Sequence, residues 1–292
     1  MKKSGSIAVL LAAYNGTEFL AQQMTSIMCQ NDVDIHIYLS VDVSSDGTDE
    51  FCSNLAKENV NITMLPYGER FGGAARNFYR LIRDVDFCGY DYVALSDQDD
   101  IWFEEKLTRA IACIDKYKVD AYSSNVMAFW DDGRKVLVNK AMQQVKYDYF
   151  FEAAGPGCTY VIKSKALAQF KCFMLENSRE VLAVGLHDWM IYAFFRSRAM
   201  LWYIDKWPSM LYRQHASNQV GLNSGIKAFL KRLILVKEKW YRSEVEKIYT
   251  LLATDASELK LNRSFLLRHF WQLRRRTRDK LVLFLFVLFG LF

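Results

Sequence analysis

Proline is scarce in this 292-residue sequence, with 3 against 14 glycines, which excludes collagen-like and low-complexity architectures. No C-x-x-C pair occurs among Cys29, Cys52, Cys88, Cys113, Cys158 and Cys172, so neither a zinc ribbon nor a disulfide scaffold is indicated, and a reducing compartment is expected. No apolar leader follows Met1-Lys2-Lys3, because Tyr14 and Asn15 interrupt the run Ile7–Ala13; a cytoplasmic location is expected. A Walker lysine motif and a G-x-G-x-x-G are both missing, which removes the P-loop and the dinucleotide-binding fingerprint. What is present is a globular composition, 51% apolar and 24% charged, long enough for one large α/β domain with or without an appendage.

The net charge of +5 is unevenly spread. From Ile226 to Phe292 there are 15 Lys and Arg against 6 Asp and Glu, leaving a net of −4 for the chain before it. The asymmetry predicts an acidic catalytic body over 1–225 and a basic helical appendage over 226–292. In the appendage Ile226, Phe229, Leu230, Leu233, Val236 and Trp240 recur at helical spacing. Arg274, Arg275, Arg276, Arg278 and Lys280 then form a basic run, and Leu281 to Phe292 carries no charge. Twelve helical residues reach roughly 18 Å, short of a ~30 Å hydrocarbon core. The pattern is that of an interfacial anchor, so a peripheral position at an anionic inner leaflet is expected, with packing on the body or in a homo-oligomer as the alternative. No recognition motif for nucleic acid accompanies the basic residues.

The first hundred residues alternate strand and helix signals. Strands are predicted at Ile7–Ala13, Ile35–Asp42, Ile62–Leu65 and Tyr92–Leu95, with helices over Glu18–Cys29, Thr48–Glu58 and from Gly72-Gly73 to Val85. This spacing implies a mainly parallel central sheet flanked by helices, whose ligands bind beyond the carboxyl ends of the strands. Three polar clusters fall at those ends: Tyr14-Asn15, Asp42 to Thr48, and Asp97 to Asp100. Further on, a helix is expected over Phe103–Tyr117, a hairpin from Ala121–Trp130 and Lys135–Val138, and a helix over Val181–Phe195.

Asp97, Asp99 and Asp100 crowd three carboxylates into four residues, an arrangement that repels itself unless a cation binds. Oxygen ligands of this kind suit Mg²⁺ or Mn²⁺ held together with substrate phosphates. Asp100 is also placed to favour the dipole of a following helix.

Ala12-Ala13-Tyr14-Asn15-Gly16, Asp42 to Thr48, Arg76-Asn77, Asp97-Gln98-Asp99-Asp100-Ile101-Trp102 and His187-Asp188-Trp189 occur in that order. The set resembles glycosyltransferase family 2, with the GT-A fold, and within it the bacterial rhamnosyltransferase-like branch, over about residues 5 to 220. The resemblance implies that Ala12, Tyr14, Asp42, Arg76, Asp97 and Gln98 bind a nucleoside-diphosphate sugar. Asp97 and Asp99 match its D-x-D pair at the metal, with His215 as a further metal contact. Asp188 matches the catalytic base, and Gly157, Cys158, Thr159 and Trp189 fall on the acceptor side. Two departures stand out: Val41 replaces the first of two usual aspartates, and the Q-x-x-R-W of processive synthases is absent.

The reaction so implied is an inverting, metal-dependent transfer of one sugar, rhamnose before galactose or glucose. Its acceptor would be a polyprenyl-linked intermediate of a cell-surface polysaccharide such as an O-antigen or capsule. A nucleotidyltransferase is the rival enzyme, although Asn15-Gly16-Thr17-Glu18 offers no glycine-rich basic loop. A membrane adaptor with a degenerate nucleotide pocket is the non-enzymatic rival.

Overall fold

A computed structural model describes residues 4–215, 239–253 and 259–292. The helix expected from Ile226 towards Trp240 lies outside the described residues up to position 238. Strand β1 (Ser6–Ala13) leads into helix α1 (Thr17–Met28), β2 (Asp34–Val41), α2 (Thr48–Glu58), β3 (Ile62–Met64), α3 (Ala74–Asp84) and β4 (Tyr92–Ser96). All three pairings among these strands are parallel, in the order β3-β2-β1-β4. Both faces of β1 are covered, and successive residues feed different cores: Ala8, Leu10 and Ala12 one, Ile7, Val9, Leu11 and Ala13 the other. That is why its sequence reads as an unbroken apolar run.

The alternation then changes. Ile101–Trp102 is a short strand, β5, and the next helix, α4, spans Lys106–Tyr117. Asp100 is therefore not at a helix N-terminus; its Oδ1 accepts from the Arg213 backbone N at 3.2 Å. The expected hairpin is present as β6 (Ala121–Phe129) and β7 (Lys135–Val138). Beyond it come β8 (Val161–Lys163), α5 (Ser164–Glu176), α6 (Ser178–Leu182), α7 (His187–Ser197) and β9 (Trp202–Arg213). The helix expected over Val181–Phe195 is thus two helices, broken around Gly185, whose N–H donates to Glu244 Oε2 at 2.9 Å. Among the described residues nine strands form one sheet; β8 runs antiparallel to both β4 and β6, and β6 and β9 are parallel.

Helices α8 (Trp240–Leu252), α9 (Arg263–Arg268) and α10 (Thr277–Leu288) follow. Val245, Ile248, Leu266, Leu283, Val287 and Phe292 enter the same core as α3 and α7. Two members of the basic run turn inward with them: Arg275 pairs with Asp148 at 3.1 Å and Glu152 at 3.4 Å, and Arg274 reaches Glu152 at 3.6 Å.

Candidate active site

Parallel register sets the site. Ala13 pairs with Val41, and Leu11 with Ser96, so the residues that follow β1, β2 and β4 emerge at one edge of the sheet. The turn after β1 is tied to the turn after β2. Asn15 N donates to Ser44 Oγ at 3.1 Å, and Asn15 Oδ1 accepts from Ser45 N at 2.8 Å. Asp46 accepts from the backbone and hydroxyl of both Thr17 and Thr48, between 2.6 and 3.1 Å.

Tyr14 presents an exposed ring at this edge while its backbone is clamped. Gln98 Oε1 accepts from Tyr14 N, and Gln98 Nε2 donates to Tyr14 O, both at 2.8 Å. A Cβ on Gly16 would overlap the Gln98 carboxamide, which explains the glycine. The amide of Gln98, expected on the nucleotide, is therefore engaged by Tyr14; it positions the neighbouring ring. Asp42, expected to read the base, is buried, and accepts from Val43 N and Phe71 N through Oδ1 and from Gly72 N through Oδ2, at 2.8–2.9 Å. It holds the Phe71-Gly72 loop before α3, and Arg76 stands exposed in the first turn of that helix.

The carboxylates after β4 separate by environment. Asp99 Oδ2 lies 2.7 Å from His215 Nε2, which joins two of the expected metal contacts. Burial and the Asp99 charge push the Asp97 carboxyl up to about 7. Asp100 is buried and raised well above the usual carboxylate range by burial and by both neighbouring carboxylates. The Cys158 thiol beside it and the Arg213 N–H pull the other way. Donor atoms of Asp97, Asp100 and Cys158 lie within 4.8 Å of one another. Cys158 is thereby corrected: it is buried behind the aspartates and not on an acceptor surface. The carboxylate oxygens of this cluster, with Asp99 and its partner His215 next to it, suit a hard divalent cation, whereas the Cys158 sulfur does not.

Asp188 begins the other side of the site, in the first turn of α7, where Oδ1 accepts from Trp189 N at 2.8 Å. Burial pushes its carboxyl up to about 6, against an opposing pull from the Lys140 charge. His187 is no rival as base: burial drives it down to about 3, and its ring stacks on Phe78 at 4.0 Å. Gly157 lies against these two residues, where a Cβ would collide with the His187 ring. Thr159 and Trp189 do not face an acceptor. Thr159 is buried and donates to Pro156 O at 2.7 Å; Trp189 is buried, donates to Tyr149 O at 2.9 Å and stacks on Tyr241 at 5.7 Å.

Three groups at the site escaped sequence reasoning. Arg213 donates through Nε to Asp99 O at 3.0 Å and lies over the Phe19 and Phe129 rings. Lys106 is fully buried, donates to Cys158 O at 2.6 Å, and is held well below its ordinary pKa by burial. Ser40, Asn77 and Arg80 form a buried chain under the β2 end, with Arg80 Nη1 donating to Ser40 Oγ at 2.8 Å. Arg213 stands two residues before His215 and was findable there; a lysine in a helix's first turn reads as solvated.

Comparison with known proteins agrees with this fold. The model for glycosyl transferase family 2 matches residues 8–177. The dTDP-rhamnosyl transferase RfbG of Shigella flexneri is 47% identical over 289 residues, which cover 97% of this chain and 100% of that protein. Among solved structures, TarS of S. aureus in complex with UDP superposes with a TM-score of 0.59 at 15% identity, over 91% of this chain and 72% of that one. The mannosyltransferase PcManGT from Pyrobaculum calidifontis, in complex with GDP-Man and Mn²⁺, gives 0.50 at 14% identity, over 99% and 86%. On the matched family model, the near full-length relative and the GT-A neighbours, this chain belongs to glycosyl transferase family 2, in its rhamnosyltransferase-like branch, and is a glycosyltransferase.

Proposed function

We propose that the enzyme transfers rhamnose from dTDP-rhamnose, with inversion, to a hydroxyl of a polyprenyl-linked saccharide at the inner face of the cytoplasmic membrane. The donor follows from the name of the 47% identical relative. The observation that carries the mechanism is Asp188: a carboxyl raised to about 6, on a helix apart from the strand end that bears Asp97 and Asp99.

In its deprotonated form Asp188 takes the proton of the acceptor hydroxyl as that oxygen bonds to the anomeric carbon. The bond from that carbon to the diphosphate breaks on the opposite side, and the released dTDP keeps the electron pair. Tyr14, locked by Gln98, offers its ring to the base; Asp42 keeps the loop into α3 in place; Arg76 stands free to meet phosphate or base. Asp97, Asp99 and His215 would hold a Mg²⁺ or Mn²⁺ ion, which when bound supplies Lewis-acid stabilisation of the leaving diphosphate. Arg213, bonded to the Asp99 carbonyl, fixes that turn. The nucleotidyltransferase and adaptor alternatives are both set aside by the family and the near full-length relative.

The test is nucleotide release from UDP-, GDP- and dTDP-sugars with either metal, in wild type and Asp99→Ala. Slow hydrolysis of dTDP-rhamnose alone, lost in the variant, is expected. Preference for another donor would overturn the sugar assignment, and unchanged activity in Asp99→Ala would overturn the metal assignment.

A further inference from the structure

We propose that the outward face of α10, with basic residues at both of its ends, is the surface on which this enzyme docks to an anionic lipid bilayer. The inference rests on the reading that the acceptor is lipid-linked, and it names the surface that meets the lipid.

Helix α10 is apolar on two faces at once. Leu283 and Val287 are buried against the body, together with Phe292 just beyond the helix. On the other side Leu281, Val282, Leu285, Leu288 and Phe289 follow helical spacing as one row, exposed by 37–70%. It is the densest group of exposed large apolar side chains among the described residues, and a solvated face gains nothing from it.

Charge at the ends identifies the occupant. Arg278, 73% exposed although it pairs with the less exposed Asp279 at 3.0 Å, precedes Leu281 on the same row. At the far end Arg263 reaches over to Leu288 O at 2.5 Å. Trp271 is half exposed, with Lys280 over its ring at 5.1 Å. An apolar row bounded by Arg, Lys and Trp matches a headgroup boundary, with anionic phosphates outside and acyl chains beneath. A second copy of the chain fits poorly. Two-fold pairing of the rows would set Arg278 against Arg278 or against Arg263, and the row is small beside the ~20–30 residues a side of a stable interface. The helix lies along the surface, since no helix among the described residues is long and apolar enough to cross a membrane.

The surface is fixed to the catalytic helix. Arg275, buried on Asp148 and Glu152, seats the start of α10. Phe292 meets the Tyr241 ring at 5.9 Å, and Tyr241 stacks on Trp189, the residue after Asp188. The docking face is thus tied rigidly to the helix that carries Asp188, and binding there would raise the effective concentration of a lipid-linked acceptor.

The experiment is co-flotation of the full chain with vesicles of phosphatidylcholine, with and without one third phosphatidylglycerol. It compares wild type, Leu285→Asp/Phe289→Asp and Arg278→Glu. Wild type should float with the anionic vesicles and lose binding in high salt. The double variant should lose at least tenfold in binding, and Arg278→Glu several-fold. Both should melt as wild type does and release dTDP from the donor at the wild-type rate without vesicles. Three results would overturn the proposal: no binding by wild type; binding that survives the double variant, which would move the contact to another part of the chain such as 226–240; or a dimer in light scattering that the double variant dissociates. Donor release without vesicle binding refutes the docking surface alone, whereas vesicle binding without any donor release refutes the functional reading alone.

Discussion

Two neighbouring side chains, Asp188 and His187, are driven apart in role by burial, the first up to about 6 and the second down to about 3. As the proposed base, Asp188 works deprotonated, so kcat/KM should rise with pH through a limb near 6 and level off above it. Asp188→Asn should lower kcat by about 10²–10⁴-fold, abolish that limb and leave donor KM nearly unchanged, as steady-state kinetics across pH would show. At the opposite edge, Gln98→Ala removes the two bonds that hold Tyr14. Donor KM should rise about tenfold with kcat less affected, and dTDP should bind more weakly by calorimetry. Asp97 gives a stability test with a definite sign. Its folded pKa, about 7, lies above the usual 3.8, so the folded state retains a proton that the unfolded chain has released over that interval. Its contribution is full in acid and is lost as pH rises through about 7. Without metal, Asp97→Asn should melt higher than wild type at about pH 8, with the gap closing towards about pH 5. Mn²⁺ should raise the wild-type Tm and leave the variant's nearly unmoved.

Among the elements, α10 hangs on Arg275, which is buried between Asp148 and Glu152 and also donates to Ala153 O at 2.6 Å. Arg275→Met should cost about 2–3 kcal/mol, because the buried Asp148 and the partly buried Glu152 each lose one of two arginine partners, Arg196 and Arg274 remaining, and thermal or urea unfolding would measure it. The elements also show what could be read in advance. β1 to β4 were legible because each is apolar and bounded by polar turns, and the same pattern located Tyr14, Asp42 and Asp97 at one edge. β9 was not: Asp205, Lys206 and Pro208 interrupt it, and its pairing with β6 shifts register there. β5 has two residues and exists only because β9 pairs with it. The inward turn of Trp189 depends on Tyr241, about fifty positions away, and the burial of Cys158 on its meeting with Asp97 and Asp100; neither has a local signature.

For the whole molecule, a parallel half-sheet presents Tyr14, Asp42, Asp97 and Asp99 at one edge, where the proposed donor and metal would sit, and α7 brings Asp188 from the other half of the chain. α8 packs on that helix through Tyr241, and Phe292, just beyond α10, packs on Tyr241 in turn. Under the proposed mechanism this division of labour has the acceptor attack from the side opposite the leaving diphosphate. The most direct measurement is NMR of the anomeric centre in the product formed from dTDP-rhamnose and a lipid-linked acceptor. A configuration opposite to the donor's, formed by wild type and not by Asp188→Asn, is the predicted result. A product that retains the donor's configuration would contradict the account.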